Sequence, residues 1–435
     1  MKKVISIMLV ITMMVTMLVG CGKDEKVDNP VTSTTKGGDV VATTTKEEKV
    51  SQGVTDTTVK VGNTAATSGA LAAVGVPFNA GIEARFKQAN DAGGIDGRMI
   101  EFVHYDDEFD PVKALAATEK LINDDKVFAI NGHFGTPTIG ATLDLVKTSE
   151  IPVVYFAAGI ASLYNEDATT LENGKGLFPV QPIYITEGRL MVARAIEEHQ
   201  AKKIGVIYTN DDAGKDLLNG IENQVKKLGG SYTVVKEQIN PGATDVSSAV
   251  LKMKNEEVDV IMAASIQATL PTIIKGLISQ GVSKPVFTTY SNADATTIAN
   301  FADDYAASKE KFPIYSNAWV DLSNKEEVDF FVKGMTDFGK PEYAGNAFAM
   351  AGWIAGCFMV EGLERTSGQV LNWENFMEAM ESAEFKIPMG GTLNYADGQR
   401  LGTQAMSLLK VSEDGLSWEN VKPVEDLNVI IDRVK

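Results

Sequence analysis

Reactive side chains are scarce in this 435-residue chain, which has three histidines and two cysteines. His104, His133 and His199 share no metal-ligand spacing. The chain contains no Gly-x-Ser-x-Gly elbow, phosphate loop or dinucleotide fingerprint. A metal, a cofactor and a serine nucleophile are therefore not expected, and nothing in the sequence requires an enzyme. The acidic run DDEFD at 106–110 lacks the alternating oxygen ligands and the glycine of a calcium loop. It reads instead as strand-end charge followed by a helix cap. Positive charge is also short, with 40 Lys and Arg against 58 Asp and Glu, a formal charge of -18. Phosphate backbones are held by Lys and Arg, so nucleic acid is not an expected partner.

A hydrophobic run long enough to span a bilayer is missing from the N-terminus. Residues 4–19, following Lys2 and Lys3, are mostly apolar, but a spanning helix needs roughly 20 such residues. Positive charges, a short apolar segment and the small-residue end LVGC (18–21) form a secretory signal. LVGC resembles the lipobox of bacterial lipoproteins, which implies a diacylglycerol on Cys21 and cleavage just before it. Loss of residues 1–20 removes Lys2 and Lys3, moving the formal charge from -18 to -20. Only Cys357 then remains as a free thiol, and no intrachain disulfide is possible. It lies in the apolar segment AGWIAGCFM (351–359) and reads as a small core residue. The expected location is extracytoplasmic, lipid-anchored to the cell membrane.

Residues 21–57 are rich in Thr, Ser, Lys, Asp, Glu and Gly, without periodic apolar positions. Such a segment cannot offset its ordering entropy and reads as a flexible tether. From Thr58 onward, strand and helix patterns alternate. Phe78, Ile82 and Phe86 share one helical face, Gly93 and Gly94 stop that helix, and Asp110-Pro111 reads as an N-cap followed by an N1 proline. Strands are predicted at 98–105, 127–131 and 151–156. A second block repeats the rhythm, with strands at 203–208, 232–235, 258–262 and 285–289 separated by helices. Strands joined by helices of ten or more residues imply parallel sheets covered on both faces. The expected fold class is α/β, with two doubly wound parallel-sheet lobes and a ligand cleft beyond the strand ends.

One turn stands out chemically. After the strand at 127–131 the chain reads GHFGTPTIG (132–140). Glycine lets the backbone approach a ligand, and Pro137 suits a first helical turn. Thr136 is then expected at the N-cap, where its hydroxyl and the amides of Thr138 and Ile139 would face an anion without any cationic side chain. The next strand ends in YFAAG (155–159), again small residues. Thr67-Ser68-Gly69 follows the first strand in the same way.

The order of these features resembles a known family. Ser68-Gly69, AGGIDGR (92–98), Asp106-Asp107, Asp110-Pro111, DKVFAINGH (125–133) and IPVV (151–154) follow the signal in sequence. They are similar to the branched-chain amino-acid (Leu/Ile/Val) binding proteins of ABC importers, which have the type I periplasmic-binding fold. The likeness covers about residues 58–433. It implies three crossovers between lobes, near 178–182, 312–317 and 385–391. The lobes would then be 58–180 plus 315–387 and 181–314 plus 388–435.

The resemblance also implies where a ligand sits. Its carboxylate would meet Phe134, Gly135 and Thr136, with Ala158 and Gly159 completing that edge; Gly159 lacks the hydroxyl the family usually has there. In the far lobe the family's acidic partner for an ammonium is replaced by Tyr290-Ser291-Asn292, and its aromatic after strand 258–262 by Gln267. Asp211, Asp212 and Asp294 are the substitutes within reach for that missing charge. Tyr184, Tyr208, Tyr290 and Tyr343 fall in or near matching cleft segments and are candidate apolar walls. The implied function is a monomeric solute receptor that delivers a small carboxylate-bearing molecule to ABC permease and ATPase subunits. The solute would be a branched-chain or other amino acid, or an aromatic or aliphatic carboxylate. A sensory receptor of the same fold, coupled to a signalling partner, is the second reading.

Overall fold

A computed structural model describes residues 49–434 except Ala268. Cys21 and the signal lie outside the described residues.

The chain begins in the first lobe with β1 (Thr58–Ala65), α1 (Ala72–Asp91), β2 (Met99–Asp106), α2 (Pro111–Asn123), β3 (Ala129–Phe134), α3 (Thr136–Thr148), β4 (Val153–Ala157) and β5 (Leu177–Phe178). It passes to the second lobe through α4 (Tyr184–His199), β6 (Lys203–Thr209), α5 (Asp212–Leu228), β7 (Thr233–Ile239), α6 (Ser247–Asn255) and β8 (Val260–Ala264). There follow α7 (Thr269–Ser279), β9 (Val286–Thr288), the short helices α8 (Ala295–Ala299) and α9 (Ala302–Ala307), and β10 (Ile314–Ala318). The return to the first lobe brings α10 (Lys325–Asp337), α11 (Ala347–Arg365), α12 (Trp373–Glu381) and the small hairpin β11 (Phe385–Lys386) and β12 (Thr392–Leu393). The last passage adds β13 (Ala405–Val411), β14 (Trp418–Asp426) and α13 (Leu427–Asp432) to the second lobe.

The first sheet is fully parallel, in the order β2-β1-β3-β4-β5. The second is ordered β14-β13-β10-β9-β8-β6-β7, parallel from β7 to β10 and antiparallel at β13 and β14. Helices on both faces bury the central strands; every residue of β3, β8 and β10 is buried. Local chemistry agrees with the starts read from sequence. The Asp110 carboxylate accepts the amides of Val112 and Lys113 at the head of α2, with Pro111 in its first turn. Phe78, Ile82 and Phe86 are all buried on α1.

In each lobe a helix pair is in backbone contact. A Cβ on Gly352 of α11 would lie 1.8 Å from the Phe78 carbonyl oxygen of α1, and one on Gly81 would lie 2.1 Å from that of Ala349. In the second lobe, a Cβ on Gly188 of α4 would lie 2.2 Å from the Leu217 oxygen of α5, and one on Gly220 2.1 Å from that of Ile185. Among the described residues α11 alone is long and apolar enough to cross a membrane, but it is mostly buried against α1, β3, β4 and α12. It is a core helix.

Three boundaries differ from those read in the sequence. Packed chain begins before residue 58: Ser51 N donates to Leu371 O, and Gln52 Nε2 donates to Val127 O. The second crossover follows residue 318, because β10 is hydrogen-bonded to β9 and β13 inside the second sheet. The third falls at 401–404 rather than 385–391. Pro388 to Gly391 form the turn of the β11–β12 hairpin, while Phe385 stacks on Phe358 and Tyr395 packs on Phe178 in the first lobe. Glycine and proline mark a turn in either case, so the sequence could not distinguish a hairpin from an interlobe passage. The first and third passages run side by side, with the Thr403 amide and hydroxyl both donating to the Val180 oxygen at 2.9 and 2.6 Å.

Candidate functional site

A cavity of about 410 Å³ is lined from both lobes and from the passages between them. On the first-lobe side, β3 ends at Phe134 and the chain turns through Gly135, whose φ is 93°. A Cβ there would lie 2.6 Å from Phe109 Cε2 and 2.7 Å from Thr138 Oγ1, so both conformation and space require glycine. Gly135, not Thr136, is the N-cap of α3, and Thr136 is its first residue. The Ile139 amide is already donated to Gly135 O at 2.9 Å. The first-turn amides of Thr136 and Thr138 are those left without an intrahelical partner. The Thr138 hydroxyl turns back to the Phe134 and Gly135 carbonyls. His133 Nε2 meets Thr142 Oγ1 at 2.6 Å, tying strand to helix, and burial pushes its pKa down to about 4, so the ring is neutral.

Two strained backbone segments aim rings at this turn. Glu108 and Phe109 both have positive φ, 51° and 64°. Asp107 Oδ1 accepts the Phe109 amide at 2.8 Å, and the Phe109 ring lies edge-on to Phe134 at 6.4 Å. Burial pushes the Asp107 carboxyl up to about 6, against the opposing pull of the Phe109 amide. In β4, Tyr155 has φ 67° beside Gly132 of β3 with φ 71°, and the strands pair again only at His133 and Phe156. A bulky residue in this region is rare and costs about 1–3 kcal/mol. The kink puts the Tyr155 ring 5.9 Å from Phe78, and its hydroxyl accepts a 2.8 Å bond from Gln181 Nε2.

Gln181 belongs to the first passage, and its Oε1 accepts from the Tyr290 hydroxyl of the second lobe at 3.1 Å. Tyr290 stacks on Tyr184 with ring centres 5.8 Å apart. The Tyr184 hydroxyl is 3.1 Å from Ser291 Oγ and also faces the Thr136 hydroxyl. Burial raises the pKa of both tyrosines, so both are neutral phenols. Behind them lies Glu187, fully buried, whose carboxylate accepts Thr289 Oγ1 at 2.6 Å, Tyr290 N at 2.7 Å and Asn317 Nδ2 at 3.1 Å. Burial pushes Glu187 up to about 7 despite these donors.

Phe134, Gly135, Thr136, Tyr184, Gln267, Tyr290 and Ser291 thus come together in the lining. Ala158 and Gly159 do not line it; Ala157 does. Gly159 instead makes room for the walls, since a Cβ on it would lie 2.3 Å from Pro182 O and 2.8 Å from Tyr290 Oη. Tyr208 points elsewhere, donating to Gln238 on β7 at 3.3 Å. Tyr343 ends a single helical turn ahead of α11 and is also outside the lining. Asp211 caps α5 through the Gly214 amide.

The lining also includes residues that sequence reasoning did not single out. Phe78 and Phe109 were legible only as helix-face and loop residues. Trp319 to Ser323 lie on the second passage, Phe348 and Met350 at the head of α11, and Leu409, Trp418 and Asn420 on β13 and β14. Nothing local in the sequence marked the β13–β14 pair as a cleft wall. Among the described residues no lysine, arginine or histidine lines the cavity.

The sequence profile of the periplasmic binding protein family matches residues 58–416. An amino acid binding protein of Pseudomonas aeruginosa is 26% identical over 230 residues, covering 52% of this chain and 58% of that protein. The chain therefore spans little more than half the length of such curated relatives. A fatty acid ABC transporter substrate-binding protein from Thermomonospora curvata superposes with a TM-score of 0.73 at 21% identity, over 87% of this chain and 95% of that one. A solute binding protein of R. palustris in complex with benzoate gives 0.70 at 22% identity, over 85% and 98%. At such identities the two structures establish a common fold. With two parallel-sheet lobes, three passages and a cavity at the strand ends, the chain belongs to the periplasmic binding protein family.

Proposed function

We propose that this protein is an extracytoplasmic receptor that captures a small carboxylate-bearing solute between its lobes and delivers it to an ABC importer. The observation that carries this reading is the shared cavity, in which the head of α3 faces aromatic walls supplied by the other lobe. In the open form the solute's carboxylate rests on the turn at Gly135 and Thr136, against peptide dipoles and a hydroxyl. Closure brings Tyr184, Tyr290, Ser291 and Gln267 onto its remaining surface. Contacts made only in the closed form are what let a solute drive closure. The curated relative named for amino acids and the structural neighbours named for a fatty acid and benzoate support a carboxylate as the common recognised group.

The permease and ATPase subunits are the proposed partners, the protein acts as a monomer, and no reaction is catalysed. Diacylglycerol on Cys21 holds the protein to the outer face of the membrane. Cys21→Ser is expected to release it from membranes, and a variant that still pellets with them contradicts the anchor. For the receptor itself, mass spectrometry of co-purified solute followed by calorimetry should find one bound molecule per chain without turnover. Product formation, or a crystal structure with side chains filling the cleft, overturns the reading.

A further inference from the structure

The chemistry of the lining narrows the class of solute, on the premise that the receptor reading above holds. We infer that the solute is a carboxylate with an apolar body and no ammonium group. A buried ammonium needs a carboxylate free to pair with it, since an uncompensated charge is strongly disfavoured in a closed site. Among the described residues only two carboxylates line the cavity, Asp294 and Asp321. Both oxygens of Asp294 are engaged by the helix it caps: Oδ1 accepts Thr297 N at 2.9 Å and also the Thr296 hydroxyl, while Oδ2 accepts Thr297 Oγ1 at 2.5 Å. Asp321 lies on the second passage, only partly buried, and its Oδ1 accepts Ser323 N at 2.9 Å. Glu187 is sealed behind Tyr290 with three donors on it and does not reach the cavity.

Two neutral acceptors of the lining are committed as well. The Gln181 carbonyl oxygen takes the Tyr290 hydroxyl, and the Tyr184 hydroxyl is paired with Ser291. The solute's body meets aromatic surface from Phe78, Phe109, Tyr184, Tyr290, Trp319 and Trp418. A volume of about 410 Å³ falls within the roughly 300–1,000 Å³ typical of small-molecule pockets. Aromatic faces can attract a cation, so an amine without a carboxylate belongs among the probes.

The test is calorimetry of the full chain against matched pairs: phenylalanine with 3-phenylpropanoate, and leucine with 4-methylpentanoate, with phenethylamine as the third arm. The expected result is that the deaminated acid of at least one pair binds ten times more tightly than its amino acid, and that phenethylamine does not bind. An amino acid that binds as tightly as its acid in both pairs overturns this inference and leaves the receptor reading standing. Tighter binding of phenethylamine than of either acid, or no binding by any of the four acids, removes both.

Discussion

Asp107 in the first lobe and Glu187 in the second act alike from opposite sides of the cleft. Each is a buried carboxyl that accepts the main-chain amide of a residue whose ring lines the cavity, Phe109 in one case and Tyr290 in the other. What stands in front of them differs. The first-lobe wall is made by backbone conformation: left-handed Gly135, the paired kinks at Gly132 and Tyr155, and the open head of α3. The second-lobe wall is made by side chains locked to one another, with Glu187 holding Thr289, Tyr290 and Asn317 in a single network. A wall of peptide dipoles can accept any carboxylate, whereas a wall of committed side chains discriminates by shape. On the proposed function, affinity for the anion resides in the first lobe and selectivity for the body in the second.

The largest effect should come from the supports the two walls share. Gly352→Val and Gly188→Val each force a side chain into a facing backbone carbonyl, and each is expected to cost at least about 3 kcal/mol in urea unfolding. If one lobe tolerates its valine with less than about 1 kcal/mol lost, the two supports are not equivalent.

Next comes the pH dependence of the two carboxyls. Burial raises both, Glu187 from 4.5 to about 7 and Asp107 from 3.8 to about 6. A carboxyl raised in the folded state binds its proton more tightly folded than unfolded. Its stabilisation is therefore complete below the unfolded value and is lost as pH rises through the folded one. Between pH 4.5 and 7 Glu187 should account for a decline of about 3 kcal/mol. Glu187→Gln is expected to flatten the decline at the upper end of this window, and Asp107→Asn the part below pH 6. Unfolding curves of either variant that stay parallel to wild type across the window refute the assignment.

Smaller effects separate the walls themselves. Tyr184→Ala removes one stacked ring, and with it about 2 kcal/mol of solute binding, roughly a thirtyfold loss of affinity. Thr136→Ala should lower affinity by about tenfold, near the value of one charge-assisted hydrogen bond. Its effect on unfolding should stay below about 0.5 kcal/mol, because it is the first helical residue and not the cap. If Thr136→Ala instead altered the ranking among solutes of different body shape, the division between anion affinity and body selectivity would fail.

The first-lobe turn was legible because everything it needs is contiguous: glycine, a hydroxyl residue and proline follow one another at 135–137 at the end of a buried strand. Even so, the sequence misplaced the cap by one residue, since a left-handed Gly135 can begin the helix as well as Thr136 can. Tyr208 illustrates the opposite failure. It lies in a cleft-facing lobe, but the strand pairing sends its hydroxyl to Gln238. Gly159 follows a strand end as a site edge would, yet its missing side chain accommodates Pro182 and Tyr290.

By itself, the sequence determined the alternation of strands and helices, the parallel sheets and the glycine turn at the head of α3, because each depends on neighbours within about a helical turn or a strand length. Tertiary structure alone decided which side chains share the cavity, where the second and third passages lie, and which acids are already engaged. Those depend on contacts such as Glu187 with Asn317 or Trp418 with Asp294. Residues so far apart in the chain meet only when the second lobe has folded, and no local pattern records the meeting.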